Sequence, residues 1–437
     1  MLWLYRLLFL PALIVLAPHY LWRMRRRGGY GERFSQRFGS HHQLPAPRAG
    51  VSRVWLQAVS VGEILAIDPV IEALTSDGTV EVYLTTTTST GYRLAQERLA
   101  KRVIGIGYFP IDWWLFSRRA WRAVSPDLVI LTEGERWPEH IHQANQRGVP
   151  VIGINARLSD RSYRRMRRFR FTSKAVLGGI TRLLPCSKQD EARFLELGFP
   201  REKLVTTGNI KLDLRIQRLD QTERKQLRAE LGLAEGPVLL GSSTWPGEEA
   251  ALLVAWREAR RTGIACSLLI VPRHAERRGE IEQLMVKEAV SFHFRSRGAA
   301  PTVVDVAIAD TTGELRKLTQ LADLIFIGKS LPPNEGGQTP VEAAALEKPI
   351  LFGPSMSNFR AIAAELLAAG AAHEVADAAG LQREVARLFA DDIRRGAMAV
   401  AGGRWHRSNA GAVERTVRVV REELDRLRSG TREDRPE

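Results

Sequence analysis

Short β-rich runs alternate with helical patterns along most of this 437-residue chain, an arrangement that predicts an α/β protein whose parallel sheets are covered by helices. Two further observations make it two lobes. A polar, charged stretch without strand character, from Asp213 to Glu235, interrupts the alternation, which then restarts. At 44% hydrophobic residues the chain can bury more core than one domain of ordinary size contains.

The elements follow in order. In the first lobe the β-rich runs are RVWLQAVS (53–60), VEVYLTTTT (80–88), PDLVILTE (126–133), VPVIGINA (149–156), TRLLPCS (181–187) and LVTTGN (204–209). In the second they are PVLLGSST (237–244), CSLLIVPR (266–273), VVDVAIAD (303–310), DLIFIGKS (323–330) and PILFGP (349–354). The segment 213–235 is the candidate linker, and the expected division is an N-terminal segment (1–22), a first α/β domain (23–215) and a second (216–437).

The N-terminal segment reads LWLYRLLFLPALIVLAPHYLW from Leu2 to Trp22, long enough to cross about 30 Å of hydrocarbon but interrupted by Arg6, Pro11 and Pro18. Arg23, Arg25, Arg26 and Arg27 follow it at once, a basic flank that stays on the cytoplasmic side and attracts anionic lipid. The reading is a spanning or monotopic membrane anchor with the main body in the cytoplasm. A cleaved signal peptide fits less well, because the basic residues follow the apolar stretch and no small-residue cleavage site is evident. An ordinary buried helix is the third reading.

A formal charge of +15, from 64 basic and 49 acidic residues, favours an anionic partner without choosing among nucleic acid, lipid and phosphorylated substrate. Cys186 and Cys266 form no paired motif, which argues against a disulfide framework and fits a reducing compartment. The histidines are too scattered for a metal site.

Ligands of open parallel sheets sit at the carboxyl ends of strands. There the first lobe offers Ser60-Val61-Gly62-Glu63, Thr132-Glu133-Gly134-Glu135, Asn155-Ala156-Arg157 and Gly208-Asn209-Ile210-Lys211. The second offers Ser242-Ser243-Thr244, Pro272-Arg273-His274, Thr312-Gly313-Glu314 and the stretch from Gly336 to Glu342. Carboxylates dominate the first set, and groups suited to phosphate populate the second.

At these residues the sequence resembles the 3-deoxy-D-manno-octulosonic acid (Kdo) transferases of bacterial lipopolysaccharide synthesis. The resemblance is carried by AVSVGE (58–63), TTTTSTG (85–91), EGERWPE (133–139), NARLSDRS (155–162), GNIKLD (208–213), VPRH (271–274), DTTGEL (310–315), GGQTPVEAA (336–344) and FGPSMSNF (352–359), with the apolar N-terminus. It implies a GT-B fold, two Rossmann-like lobes facing across a cleft, and transfer of Kdo from CMP-Kdo to the lipid A precursor lipid IVA with inversion, no metal and no cofactor. Two departures stand out. Gln338 and Thr339 replace a usual histidine and asparagine, and Glu133-Gly134-Glu135 replaces Glu-Thr-Glu, keeping both carboxylates as candidates.

The resemblance assigns the general base to Glu63 and transition-state stabilisation to Glu133 and Lys211. On its own pattern, Glu63 lies either at the start of a helix that buries Ile64, Ile67, Ile71 and Leu74, or in a loop ahead of a helix capped by Asp68 and begun by Pro69. Lys211 reads otherwise as a solvated lysine. The implied CMP contacts are Pro272, Arg273, Thr312, Gly313, Glu314, Thr339, Pro340, Val341 and Glu342. Arg273 would offer its planar fork to the phosphate and Glu342 would take the ribose hydroxyls, unless it only closes a capping box with Thr339. The basic run Arg157, Arg161, Arg164, Arg165, Arg167, Arg168 and Arg170 suits phosphates of the lipid acceptor or of the inner membrane. A solvated helix face is the plain alternative, and nucleic acid is disfavoured because no recognisable nucleic-acid module surrounds it. Beside the Kdo transferase stand two other readings: a GT-B enzyme for another nucleotide sugar, and a non-enzymatic basic membrane-associated binding protein.

Overall fold

The computed structural model describes residues 2–27, 33–41, 44–169, 173, 176–214 and 216–433. The chain forms two compact units, Met1–Asp213 with Gly411–Glu437, and Leu214–Ala410.

The first unit contains α1 (Leu2–Arg27), β1 (Ser52–Gln57), α2 (Val61–Thr75), β2 (Val80–Thr86), α3 (Ser89–Leu99), β3 (Gly105–Tyr108), α4 (Trp114–Val124), β4 (Leu128–Thr132), α5 (Pro138–Asn145), β5 (Val151–Ala156), α6 (Asp160–Arg168), β6 (Arg182–Pro185) and α7 (Lys188–Glu196). Its six strands are all parallel and lie in the order β3-β2-β1-β4-β5-β6. Every residue of β1, β2, β4 and β5 is buried, as expected of strands covered on both faces. The winding reverses between β1 and β4, which makes the gap beyond their carboxyl ends the place for a ligand.

The second unit contains α8 (Gln221–Leu231), β7 (Val238–Thr244), α9 (Glu248–Arg261), β8 (Ser267–Pro272), α10 (Arg278–Lys287), β9 (Phe292–Phe294), β10 (Val306–Ile308), α11 (Leu315–Leu318), β11 (Leu324–Ile327), α12 (Val341–Ala345), β12 (Ile350–Phe352), α13 (Arg360–Ala368), β13 (Ala372–Glu374), α14 (Ala378–Phe389) and α15 (Asp392–Asn409). Its seven parallel strands run β13-β12-β11-β7-β8-β10-β9. Here the reversal falls between β7 and β11.

The last helix, α16 (Ala412–Glu433), corrects the expected division at 215/216 with a second domain running to 437. Val413, Val417, Val420 and Leu424 are buried in the same core as Ile64, Ile67 and Ile71 of α2. Asp213 accepts from the amides of Gly411 (3.2 Å) and Val413 (2.8 Å), so its carboxylate closes the start of the returning helix. The candidate linker is also more ordered than expected. Asp220 and Glu223 form a reciprocal capping box at the start of α8, and Gly232 ends it in the left-handed conformation. Only Leu227 and Leu231 of that helix are buried, too few to show a helical period.

The run 204–209 is not a strand beyond a single bridge from Leu204 to Leu183. Three strands escaped the pattern: β3, β9 and β13. The last two have three residues each, and β3 has glycine at every second position; a Cβ on Gly107 would fall 2.2 Å from the Tyr83 hydroxyl.

No single described helix is long and apolar enough to cross a membrane; Leu2–Phe9 and Pro11–His19, either side of a 40° bend, meet that requirement together. Arg6, the charge that interrupts this stretch, has a partner. Its Nε and Nη2 donate to Glu139 at 2.7 and 2.9 Å, and the neighbouring Tyr5 hydroxyl donates to Asp112 at 2.7 Å. Both acceptors are buried.

Candidate active site

The first unit gathers its chemistry at the reversal between β1 and β4. Ser60 caps α2 by accepting from the Glu63 amide at 3.4 Å, so Glu63 stands in the first turn of a helix, where a negative charge is favoured. Asp68 and Pro69 lie inside that helix and do not begin it. Glu63 is 9% exposed, and its carboxylate accepts from the Val59 amide (2.9 Å), the Ser60 hydroxyl (3.0 Å) and the Thr132 hydroxyl (2.6 Å). These three donors fix its direction. Thr132 ends β4, so this bond ties the base candidate to the loop of the next carboxylates.

Glu133 has φ +50°, a conformation that costs a non-glycine residue of order 1 kcal/mol or more and is held only where surroundings enforce it. The left-handed residue is Glu133 itself. At Gly134 an added Cβ would meet nothing. Glu133 forms an ion pair with Lys211, and Arg157 Nη1 stands 4.0 Å from its other oxygen. Lys211 is brought there by a short 3₁₀ turn, Ile210–Leu212, whose start is fixed twice: Asn209 accepts from the Lys211 amide at 3.0 Å, and Asn155 accepts from the Ile210 amide at 3.1 Å.

Glu135, the other glutamate of this loop, completes the group. Its carboxylate accepts from Trp137 Nε1 at 2.7 Å. Burial, and after it the charge of Glu63, pushes its carboxyl up to about 7. Sequence kept it as a candidate without a role; the structure makes it a proton-holding neighbour of Glu63.

The second unit places the expected nucleotide contacts on three segments. Pro272 ends β8 and is buried, while Arg273 is exposed and its amide donates to Thr244 O at 3.1 Å. Thr312 and Gly313 are exposed, Gly313 with φ +87°. Glu314 is already engaged: Arg295 donates to it from Nε (2.9 Å) and Nη2 (3.0 Å), and Thr311 is its third partner. Its carboxyl is held below the ordinary range, first by the Arg295 bond. Backbone amides of the Thr312–Glu314 loop are therefore what this segment has to offer a ligand.

Pro340 and Val341 are buried, and Thr339 and Glu342 are half-buried. The capping box of Thr339 with Glu342 is not formed. The cap position of α12 is Pro340, Thr339 accepts weakly from the Val341 amide (3.4 Å), and Glu342 accepts from Arg316 Nε at 2.8 Å. Arg316 follows Glu314 in α11, so this ion pair brings the Thr312–Glu314 loop and α12 together. Of the basic run, Arg161, Arg164, Arg165, Arg167 and Arg168 are exposed on α6 while Met166 faces inward; Arg170 lies outside the described residues. Among the described residues, no group of three or more His, Cys, Asp or Glu side chains is arranged to hold a metal.

Two all-parallel α/β units with their candidate groups at the strand carboxyl ends make up the fold of the GT-B class. Solved structures share the fold over most of the chain. A UDP-GlcNAc 2-epimerase from Neisseria meningitidis superposes with TM-score 0.57 at 16% identity, covering 85% of this chain and 100% of that one. A glycosyltransferase from Rickettsia africae does so with TM-score 0.57 at 11% identity, over 86% and 99%. Residues 32–214 match the family model for 3-deoxy-D-manno-octulosonic-acid transferase (kdotransferase). The 3-deoxy-D-manno-octulosonic acid transferase of Bordetella pertussis is 33% identical over 94% of this chain and 98% of its own length, and that of Haemophilus influenzae 31% over 96% of each. The chain belongs to the Kdo transferase family.

Proposed function

We propose that this Kdo transferase takes its sugar from CMP-Kdo and delivers it to lipid IVA, by an inverting, metal-independent displacement at the cytoplasmic face of the inner membrane. The observation that carries the mechanism is the joining of Glu63, through Thr132, to the Glu133–Lys211 pair at the reversal of the first sheet. In a single displacement the acceptor hydroxyl attacks the anomeric carbon, the bond from that carbon to the CMP phosphate oxygen breaks, and CMP leaves with the electron pair. The hydroxyl proton goes to Glu63, whose direction is set by its three donors. Lys211, oriented by Glu133, supplies positive charge to the sugar carboxylate or to charge developing in the transition state, a task for which a divalent ion is then unnecessary. In the second unit Arg273 and the amides around Gly313 take the phosphate, and Glu342 the ribose hydroxyls.

The membrane reading rests on α1 and α6. Trp3, Leu7, Leu8, Ile14, Val15 and Leu16 are exposed along α1, and Trp114 and Leu115 are exposed just beyond Asp112, to which α1 is bonded. The arginines of α6 suit the phosphates of lipid. The test is an assay of the purified full chain with CMP-Kdo and a tetraacylated lipid A precursor, read by product mass and anomeric configuration, with and without EDTA. Transfer that survives EDTA, and a loss of roughly 100-fold or more in turnover for Glu63→Gln, are expected. Near wild-type turnover in that variant removes Glu63 as the base, and failure to modify the lipid removes the acceptor assignment.

A further inference from the structure

The second sheet reverses between β7 and β11, and at that point the structure holds a cation that the motifs did not single out. Lys329 follows β11 by two residues and has φ +59°, and Ser243, at the end of β7, has φ +55°. Two non-glycine residues in the left-handed conformation on adjacent strand ends are strained and persist only where their surroundings hold them. Glu248, 1% exposed, does so from α9: its carboxylate accepts from the amides of Trp245, Lys329, Ser330 and Leu331 at 2.8–3.1 Å. One buried carboxylate therefore ties together the two loops flanking the reversal. Gly328 lets them close, since a Cβ there would fall 2.3 Å from Ser243 O.

This framework presents the Lys329 ammonium. Nζ lies 4.4 Å from the centre of the Trp245 ring, which His274 meets edge-on at 5.2 Å. Among the described residues no carboxylate pairs with Nζ, whereas Arg277, Arg278, Arg295 and Arg316 in the same unit all have carboxylate partners. The Trp245 Nε1 hydrogen is buried and has no acceptor. Beside Nζ lies Gly336, whose added Cβ would stand 3.7 Å from it, and Gly336 also lines a 420 Å³ cavity with Arg360 and Met356. A strained backbone, an ammonium laid on a ring without an anion, and an indole hydrogen awaiting an acceptor meet where an open α/β sheet binds its ligand.

We propose that Lys329, supported by Trp245, is an anion-binding residue of the donor site that takes an oxygen of the donor's phosphate or of its sugar carboxylate. The inference rests on the reading of this unit as the nucleotide-sugar unit. A purely structural lysine here gains nothing from its conformation, because glycine adopts it without strain. Lys329→Gly is therefore expected to melt at or above the wild-type temperature while binding the donor worse, and Lys329→Arg to keep most of the affinity.

The experiment titrates cytidine and CMP calorimetrically into the full-length wild type, Lys329→Gly, Lys329→Arg and Arg273→Ala, and measures KM for CMP-Kdo in each. A roughly 10- to 100-fold weaker CMP affinity in Lys329→Gly with cytidine unchanged, the range for a hydrogen bond to a charged group, identifies the phosphate as the anion. Unchanged CMP affinity with a KM for CMP-Kdo raised by that factor identifies the carboxylate. If Lys329→Gly matches wild type on both while Arg273→Ala loses CMP, this inference is overturned and the donor-site reading stands. If Arg273→Ala also binds CMP normally, both fall.

Discussion

Arg6 is the sharpest point at which the structure changes what the sequence suggested, and its removal has a calculable cost. In the apolar N-terminal stretch it reads as a defect, yet its guanidinium makes two bonds to Glu139, whose side chain has no solvent exposure, while Arg6 itself is 16% exposed. Replacing Arg6 by Met keeps an apolar, helix-compatible side chain and strips Glu139 of its cation, leaving Gln143 Nε2 as a neutral donor at 2.7 Å. Breaking one side of a buried pair costs about 3–5 kcal/mol. The expected loss is thus about 3 kcal/mol, read by urea unfolding in detergent. The double variant with Glu139→Gln should recover part of the loss, because neither charge is then stranded. A loss under about 1 kcal/mol refutes the reasoning. Deleting residues 1–22 removes Tyr5 as well and should destabilise the first unit along with detaching it, although none of the site motifs lies in that segment.

Two further outcomes are expected. Because Glu135 has its carboxyl raised from the ordinary 4.5 to about 7, the folded state holds a proton the unfolded chain has released; the stability this contributes is complete below about pH 4.5 and is lost as pH rises through about 7. Glu135→Gln should therefore flatten the fall in melting temperature between about pH 5 and 8, and an unchanged slope would assign the proton elsewhere. Replacing Leu7, Leu8, Val15 and Leu16 by polar residues while keeping Tyr5 and Arg6 should move the protein from membrane to supernatant without altering its melt; retention that high salt abolishes would instead credit the arginines of α6.

Much of the fold was legible because long buried strands announce themselves: PDLVILTE and CSLLIVPR have enough apolar residues and clear enough ends to be placed within a few positions. What was hidden had physical reasons. β9 and β13 are too short to show a period, α8 buries only two side chains, and α16 is amphipathic but nothing in its sequence says which unit its apolar face will meet. The first-unit candidates were named correctly as neighbours of strand ends, and Glu133 does meet Lys211. The resemblance gave the two a shared role but not their pairing, since nothing in the spacing of residues 133 and 211 predicts contact. Arg6 and Lys329 were out of reach for a related reason: each is ordinary as a residue type, and its meaning comes from a partner far away in sequence, Glu139 for one and Trp245 for the other.

Backbone conformation explains why the strand ends rather than the strands carry the chemistry. Glu133, Asn155, Ser243 and Lys329 all have positive φ, between 49° and 59°, although none is glycine and a sequence gives no hint of it. Asn155 and Ser243 stand where the pairing of β5 with β6 and of β7 with β8 shifts register, and such bulges re-aim a side chain out of the sheet's alternation. Asn155 uses this to hold the turn that delivers Lys211 to Glu133. Glu133 and Lys329 lie just beyond β4 and β11, the strands beside the two reversals. Each unit therefore holds a strained residue at the reversal of its sheet, Glu133 in the first and Lys329 in the second, where a ligand gains from groups already held in place. Relaxing them to glycine should make the protein more tolerant of heat and a poorer enzyme, and Lys329 is the position at which those two effects separate most cleanly.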